Sequence, residues 1–120
     1  MSFYVSWFKI LPYSKKSVID NIEDIGGIYK LLYKNANGML IVFYVGQADE
    51  LRTKLLLHLN KSENNLCVKT MLNTERCYFH VAYLKNQGDR NCAERFLYEH
   101  YLPDCNHVVP SGEPCPINLD

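Results

Sequence analysis

Two tyrosines are the first residues whose positions suggest chemistry. In the β-hairpin expected around them, Tyr29 lies opposite Gly46 and Leu31 lies opposite Tyr44, so both phenols share one face of the sheet. As diagonal neighbours their Cβ atoms should lie about 7–8 Å apart, which is close enough for two phenols to converge on one phosphate. Gly46 leaves space beside the Tyr29 ring, where backbone or ligand could approach. The alternative is that both tyrosines are ordinary packed residues of a sheet.

The hairpin itself is predicted from two strand-like runs, residues 28–34 and 39–46. The segment between them ends in Asn37-Gly38, and Asn-Gly is the strongest short-range hairpin signal because both residues tolerate positive φ. A two-residue turn at this dipeptide pairs Ala36 with Met39 and fixes the register of the tyrosines.

Cationic and imidazole side chains follow on the next predicted helix, residues 50–59. Lys54 and His58 lie one turn apart and therefore on one face, whereas Arg52 is displaced from Lys54 by about 200° and is a poor substitute for it. An imidazole with an ordinary pKa near ~6.5 could orient or deprotonate a tyrosine around neutrality. The alternatives are a solvated lysine and a histidine at the edge of the core.

An acidic candidate, Glu94, lies on the final predicted helix. It flanks the apolar stripe formed by Ala93 and Phe96-Leu97, so it can point inward at the edge of the sheet. The alternative is a solvated glutamate. Beyond the helix, Asn106 is either a turn residue or a hydrogen-bonding support for a loop of the site.

The remaining elements follow from periodicity and turn signals. An aromatic-rich arm, residues 1–16, is interrupted by Pro12, and a helix over 17–25 is expected to begin at a Ser17 cap and to end at Gly26-Gly27. The helix over 50–59 repeats leucine every four residues, and Asp49 is its expected cap.

Further along, a short helical stretch is expected over 64–73 and a third strand over 77–85. A turn over 86–89 precedes the last helix, which Pro103 terminates. An irregular tail follows from Pro110. The resulting order after the arm is β-β-α-α-β-α.

Composition limits the class of protein. The chain has 120 residues, of which 48% are hydrophobic and 22% charged, which is typical of one globular domain. Thirteen basic residues balance thirteen acidic ones, so no global positive field attracts a polyanion. No apolar run reaches the roughly 18 residues of a membrane span, and no signal peptide is evident, so we expect a cytoplasmic protein. Five cysteines without a CxxC pair favour reduced, structural thiols.

The tripeptides Gly27-Ile28-Tyr29 and Tyr44-Val45-Gly46 together resemble the paired signature of the GIY-YIG nuclease family. The resemblance runs from about Gly26 to Asn106, where Asn106 matches the family's usual terminal asparagine. His58 and Glu94 also match residues of the family pattern. Two positions depart from it, because Lys54 stands where the family has an arginine, and Gln47 stands where its repair-nuclease branch tends to have a lysine.

The resemblance implies an α/β (α+β) fold, a small three-stranded antiparallel sheet flanked by helices. The expected organisation is an N-terminal arm and short helix over 1–25, a nuclease-like domain over 26–106 and an irregular tail over 107–120, all in one globular unit. A separate DNA-targeting protein or a homodimer is the expected source of any additional DNA affinity.

The resemblance also implies a divalent-metal-dependent endonuclease that hydrolyses DNA phosphodiester bonds. Glu94 would bind Mg²⁺ or Mn²⁺, Tyr29 would help activate the attacking water, and Tyr44 with Lys54 would steady the phosphate charge. Arg52 and Asn106 are further candidates for substrate binding. Because lysine lacks the planar fork of arginine, the alternative is a related domain that binds nucleic acid or a protein without cleavage.

Overall fold

The computed structural model describes residues 3–120 and is an α+β domain built on one antiparallel sheet. The strands are β1 (Leu11–Pro12), β2 (Gly27–Lys34), β3 (Leu40–Ala48) and β4 (Cys77–Tyr83). They lie in the order β1-β4-β2-β3, and four helices flank them. The helices are α1 (Lys15–Asn21), α2 (Leu51–His58), α3 (Leu66–Thr74) and α4 (Gln87–Tyr101). The predicted order β-β-α-α-β-α is confirmed, and the N-terminal arm adds a short fourth strand to the predicted three.

That fourth strand explains how a proline fits into the sheet. Pro12 cannot donate a ladder hydrogen bond, and β1 lies at the edge of the sheet, where no further strand needs that donor. Leu11 and Pro12 pair with β4, and an isolated bridge from Trp7 to Ala82 continues the contact toward the N-terminus. The arm therefore packs on the sheet as an extension of it.

The register of the central hairpin differs from the prediction at its turn and agrees at the tyrosines. Asn35 pairs with Met39 through a backbone hydrogen bond of 2.8 Å, so the loop has three residues and ends at Gly38, whose φ is +80°. The predicted pairing of Ala36 with Met39 was wrong. A β-bulge between Leu31 and Leu32 then shifts the ladder by one residue.

Because of this bulge, the ladder recovers the predicted register before it reaches the signature residues. Tyr29 lies opposite Gly46 and Leu31 lies opposite Tyr44, as expected. A bulge inserts one extra residue in one strand, and here that residue offsets the longer turn. The two tyrosines consequently share a face.

Helix boundaries differ from the prediction at their caps and at the end of α1, which stops at Asn21 and not at Gly26-Gly27. Ser14, and not Ser17, caps α1, because its side chain accepts a hydrogen bond from Ser17 N. Asp49 does not cap α2 and instead forms an ion pair with Arg90. Helix α4 begins inside the predicted turn, where Asn86 caps it, and it ends at Tyr101, followed by Leu102 as a left-handed C-cap just before Pro103.

Two apolar clusters cover the two faces of the sheet. One includes Tyr29, Leu31 and Phe43 and packs under α1, α2 and α3. The other includes Ile28 and Val45 and packs against α4 and the C-terminal tail. Within residues 3–120, the helices all lack the length and apolar character required to cross a membrane.

Candidate active site

The two signature tyrosines lie side by side but differ in exposure. Their ring centroids are 6.2 Å apart. Tyr29 is completely enclosed, whereas Tyr44 is partly exposed and lines a cleft. A Cβ atom on Gly46 would lie 2.5 Å from the Tyr29 hydroxyl oxygen, so the absence of a side chain there is what admits the ring. Tyr44 is therefore the phenol that a molecule in the cleft meets first.

The His58 ring lies next to both phenols. Its Nε2 lies 2.8 Å from the Tyr29 hydroxyl, and its ring centroid is 5.4 Å from that of Tyr44. The last turn of α2 carries it inward, and only 5% of its surface is exposed. Burial lowers the pKa of His58, and the nearby Glu63 carboxylate opposes that effect. His58 is therefore within hydrogen-bond distance of a tyrosine, as its expected role of orienting or deprotonating one requires.

Glu63 completes this arrangement and was not predicted from the sequence. Its Oε2 lies 2.8 Å from His58 Nδ1, on the far side of the ring from Tyr29. It belongs to the loop between α2 and α3, five residues beyond His58. An acidic residue shortly after a helix that ends in histidine is a weak signal, because loop geometry decides whether the two side chains meet.

Glu94 reaches the same region from the opposite side of edge strand β3. Gln47 Nε2 donates to Glu94 Oε1 at 3.0 Å and to Asn91 Oδ1 at 2.7 Å, which fixes the carboxylate beside the strand. Burial raises the pKa of the Glu94 carboxyl, while the hydrogen bond from Gln47 and the charge of Lys54 oppose the rise. Glu94 and Tyr44 thus line one cleft.

The cleft has a volume of about 550 Å³ and lies between the start of α3 and the segment that follows α4. Its remaining lining residues come from those two segments: Asn64, Asn65, Asn106, His107, Val108, Val109, Pro110 and Ser111. Asn106 holds one wall in place, since its side-chain amide exchanges two hydrogen bonds of 2.9 Å with the backbone of Val45. Asn106 is thus anchored to β3, and both roles expected for it, support of the site and contact with substrate, stay predictions.

The two basic candidates on α2 separate in space. Lys54 is partly buried, and its positive charge influences the pKa values of both Glu94 and His58. Arg52 instead lies beside Asp24, on the side of α2 that faces the end of α1. Lys54 lines a neighbouring hollow with Gln47 and Asp49 and not the cleft itself, and Arg52 lines neither of the two.

Four of the five cysteines are paired, so the expectation of reduced thiols was wrong. Disulfides join Cys67 to Cys105 and Cys92 to Cys115, across sequence separations of 38 and 23 residues. Cys77 is free and partly buried, and burial raises the pKa of its thiol to about 11. Because the pairs join elements far apart in the chain, short spacing rules such as CxxC do not detect them.

The residues of the cleft suit one hard divalent cation. Glu94 offers carboxylate oxygens, of which the hydrogen bond from Gln47 engages one, and no ion pair within residues 3–120 engages the other. That stretch contains no cluster of three or more His, Cys, Asp or Glu residues arranged for a metal. A single carboxylate is compatible with Mg²⁺, which keeps several waters and takes only one or two protein carboxylates.

Comparison with solved structures identifies the fold. The magnesium-bound GIY-YIG N-terminal endonuclease domain of UvrC from Thermotoga maritima matches with a TM-score of 0.59 and 21% identity, over 77% of this chain and 94% of that one. Two point mutants of that domain, each bound to its catalytic divalent cation, match with TM-scores of 0.61 and 0.60 and identities of 20% and 19%. Each covers 78% of this chain and 94% of its own.

Comparisons of sequence alone give no match to a family model or to a curated protein. At about 20% identity, the structural likeness establishes the fold. The chain has the GIY-YIG nuclease fold, which confirms the resemblance drawn from its two tyrosine motifs.

Proposed function

We propose that this protein is a divalent-metal-dependent endonuclease that hydrolyses phosphodiester bonds in DNA. The observation that carries the proposal is the meeting of Tyr44 and Glu94 in one cleft, with Tyr29 and His58 hydrogen-bonded behind it. The neighbouring UvrC domain is described as an endonuclease bound to a catalytic divalent cation, which supports the same class of activity.

In the proposed reaction, a water oxygen bonds to phosphorus while the bond from phosphorus to the leaving oxygen breaks. The proton of the attacking water moves by way of the tyrosine hydroxyls toward His58 Nε2, which is 2.8 Å from Tyr29. Burial raises the pKa of the Tyr29 phenol well above its ordinary value, so the phenol alone is a poor base at neutral pH. The neutral imidazole of His58, within hydrogen-bond distance of that phenol, can accept the proton instead.

The other residues of the site bind and orient the phosphate. A divalent cation bound by Glu94 would stabilise negative charge on the phosphate and the leaving oxygen. Tyr44 lines the cleft and Lys54 is the basic residue of α2 whose charge acts on Glu94, so these two side chains would steady the scissile phosphate. Asn106 keeps the strand beneath Tyr44 in position, and Arg52 would contact DNA only beyond the cleft.

The second candidate function is binding of nucleic acid or a protein partner without cleavage. Two observations favour it: Lys54 offers a point charge in place of the arginine fork, and Gln47 occupies one oxygen of Glu94. The neutral balance of charge also limits non-specific affinity for DNA. Salt-dependent DNA binding without strand breakage is the outcome expected for this candidate.

The deciding experiment incubates the protein with plasmid, branched and single-stranded DNA in Mg²⁺ or Mn²⁺. Wild-type protein should cut at least one substrate, and Glu94→Ala, purified identically, should show no cutting because the metal ligand is removed. Equal residual cutting by both proteins would indicate a contaminating nuclease and contradict the proposal.

Lys54→Arg tests whether lysine is an imperfect replacement at its position. Arginine restores bidentate contact with phosphate, so we expect faster cleavage than in the wild type. An unchanged rate under single-turnover conditions would mean that this position does not contact the reacting phosphate.

DNA is the proposed partner, with a separate targeting protein or a second copy of the chain as the source of additional affinity. The cytoplasmic location remains a prediction. Disulfides persist mainly in oxidising compartments, so the two cystine pairs weigh against a strongly reducing one.

A further inference from the structure

Glu63 is held by both of its carboxylate oxygens, although it lies in a loop. Oε2 contacts His58 Nδ1 at 2.8 Å, and Oε1 accepts a hydrogen bond of 3.0 Å from the backbone N–H of Asn65. The backbone N–H of Glu63 donates to the carbonyl of Asn60 at 3.0 Å, and its side chain is only 12% exposed. The carboxylate therefore has a defined orientation toward the imidazole.

The Glu63 carboxylate lies beside a helix N-terminus and accepts a backbone hydrogen bond there. Asn65 caps α3, so the Glu63 carboxylate lies at the N-terminus of that helix, where negative charge is stabilised. The Asn65 side chain also donates to the carbonyl of Cys105 at 2.9 Å, which ties this loop to the segment after α4. An ionised carboxylate can only accept hydrogen bonds.

This restriction fixes the arrangement of protons on His58. If Glu63 only accepts, Nδ1 must carry the proton that lies between them, and in the neutral imidazole Nε2 is then an acceptor. The Tyr29 hydroxyl lies 2.8 Å from Nε2 and can donate to it. The opposite tautomer would direct an N–H at Tyr29 and would place two acceptors face to face at Nδ1.

We propose that Glu63 is a positioning residue of the site: it holds His58 in the Nδ1-protonated tautomer and thereby presents an unprotonated Nε2 to Tyr29. The catalytic consequence rests on the proposed nuclease function, whereas the tautomer does not depend on it. Glu63 itself does not line the cleft.

Other charged and titratable groups near His58 do not offer the same contact. Lys54 lies one turn earlier on α2, and Lys61 and Lys69 line a small hollow on the outer side of the ring. Lysines are donors only, and Lys69 donates to the carbonyl of Lys61 at 3.0 Å. Tyr29 and Tyr44 face the ring from β2 and β3.

The tautomer is tested by multiple-bond ¹H–¹⁵N spectra of protein labelled on the histidine rings. The chain has four histidines, so His58→Gln assigns the relevant signals. Wild-type protein should show Nδ1 protonated and Nε2 unprotonated at pH 7.5. Glu63→Ala should lose this single state, whereas Glu75→Ala, an exposed residue at the end of α3, should retain it. An Nε2-protonated ring in wild type, or an unchanged ring in Glu63→Ala, would overturn the inference.

The catalytic consequence is tested with the isosteric variant Glu63→Gln and the matched control Glu75→Gln. We expect Glu63→Gln to lower kcat/KM by roughly 10- to 100-fold, comparable with removal of the outer partner of a metal-bound imidazole. The acidic limb of the pH profile should also move to lower pH, since the Glu63 charge raises the pKa of His58. A rate lowered equally at every pH would indicate general structural damage and contradict positioning.

The two tests separate failure of this inference from failure of the proposed function. If wild-type protein cuts no DNA and the ring signals depend on Glu63 as expected, the nuclease proposal fails and the positioning role stands. If wild-type protein cuts DNA and Glu63→Gln cuts equally well with the same pH profile, the positioning role fails and the nuclease proposal stands.

Discussion

The two faces of the sheet each enclose a group of polar and aromatic side chains, and the two groups are built differently. The site cluster comprises Tyr29, Tyr44, His58 and Glu63. The tail cluster comprises Trp7, Lys30, His80 and Tyr101. Tyr29 and Lys30 are neighbours on β2, and successive side chains of a strand point to opposite faces, so one strand supplies the centre of both clusters.

Directed hydrogen bonds define the site cluster. Tyr29, His58 and Glu63 form a chain of two contacts of 2.8 Å, and Tyr44 connects the chain to the cleft. This chain ends on one side at open space, where a substrate can enter.

The tail cluster is closed and its contacts are less directional. Lys30 Nζ lies 4.3 Å from the Trp7 ring centroid and donates to the carbonyl of Leu119 and, at 3.2 Å, to the Tyr101 hydroxyl. His80 stacks on Trp7 with ring centroids 4.6 Å apart, and its Nδ1 is the buried side-chain polar atom without a partner within residues 3–120. Both clusters bury titratable groups, and they differ in that the site cluster combines access from the cleft with a directed chain of hydrogen bonds.

The largest expected contrast is between adjacent substitutions on β2. Tyr29→Phe removes the hydroxyl bonded to His58 and should lower DNA cleavage by roughly 10²-fold or more, as loss of a positioned acid–base group typically does. Lys30→Met should leave the cleavage rate of the folded fraction unchanged, because it lies on the other face. Single-turnover rates with unfolding curves measured in parallel check this prediction. Equal loss of activity in both variants would remove the functional distinction between the clusters.

The disulfides give the next contrast, since each lies near one cluster. Cys67–Cys105 joins α3 to the segment that leads into Asn106, and Cys92–Cys115 holds the tail that covers Lys30. Replacing either pair by alanine should cost about 2–4 kcal/mol of unfolding free energy, by loss of the constraint on the unfolded chain.

The fluorescence of Trp7, the single tryptophan, distinguishes the loss of one disulfide from the loss of the other. Its indole N–H donates to the carbonyl of Asn118 at 2.9 Å, so release of the tail should expose it. Loss of Cys92–Cys115 should increase acrylamide quenching of Trp7 fluorescence, whereas loss of Cys67–Cys105 should leave quenching unchanged and reduce cleavage. Identical quenching in both double variants would show that the bridges act only through global stability.

Sequence alone predicted the part of the site that depends on local register. Tyr29 and Tyr44 share a face because strands alternate, and Lys54 and His58 share a face because helices repeat every 3.6 residues. The hairpin prediction gave the correct pairing of the tyrosines although the predicted turn was wrong, because the bulge between Leu31 and Leu32 offset the three-residue loop. A bulge has little local sequence signal, so this agreement was not assured.

The parts that sequence did not predict all depend on contacts between distant segments. Glu63 meets His58 only because the loop after α2 turns back along the helix, and the cystine pairs join segments 38 and 23 residues apart. Asp49 satisfies the local rules for a cap but pairs with Arg90 across 41 residues. In each case tertiary packing selects one partner among several that the local sequence allows.

The smallest expected effect is a pH dependence of stability that belongs to the tail cluster. Burial lowers the pKa of Lys30 to about 8, and the Asp120 carboxylate partly opposes the shift. Between that value and the ordinary lysine pKa near ~10.4, the unfolded chain binds a proton that the folded chain has released. Stability therefore rises with pH across this window wherever Lys30 is present.

The measurement compares urea unfolding of wild-type protein and Lys30→Met between pH 7.5 and 9.5, with Lys34→Met as the control on the exposed end of β2. Cys77 and Tyr44 lie outside the tail cluster, so their titration contributes equally in all three proteins and cancels in the differences. Wild-type protein should gain stability relative to Lys30→Met as pH rises and should keep a constant difference from Lys34→Met. If the difference in unfolding free energy between wild-type protein and Lys30→Met did not change with pH, Lys30 would keep an ordinary pKa. The tail cluster would then stabilise its charge as well as water does.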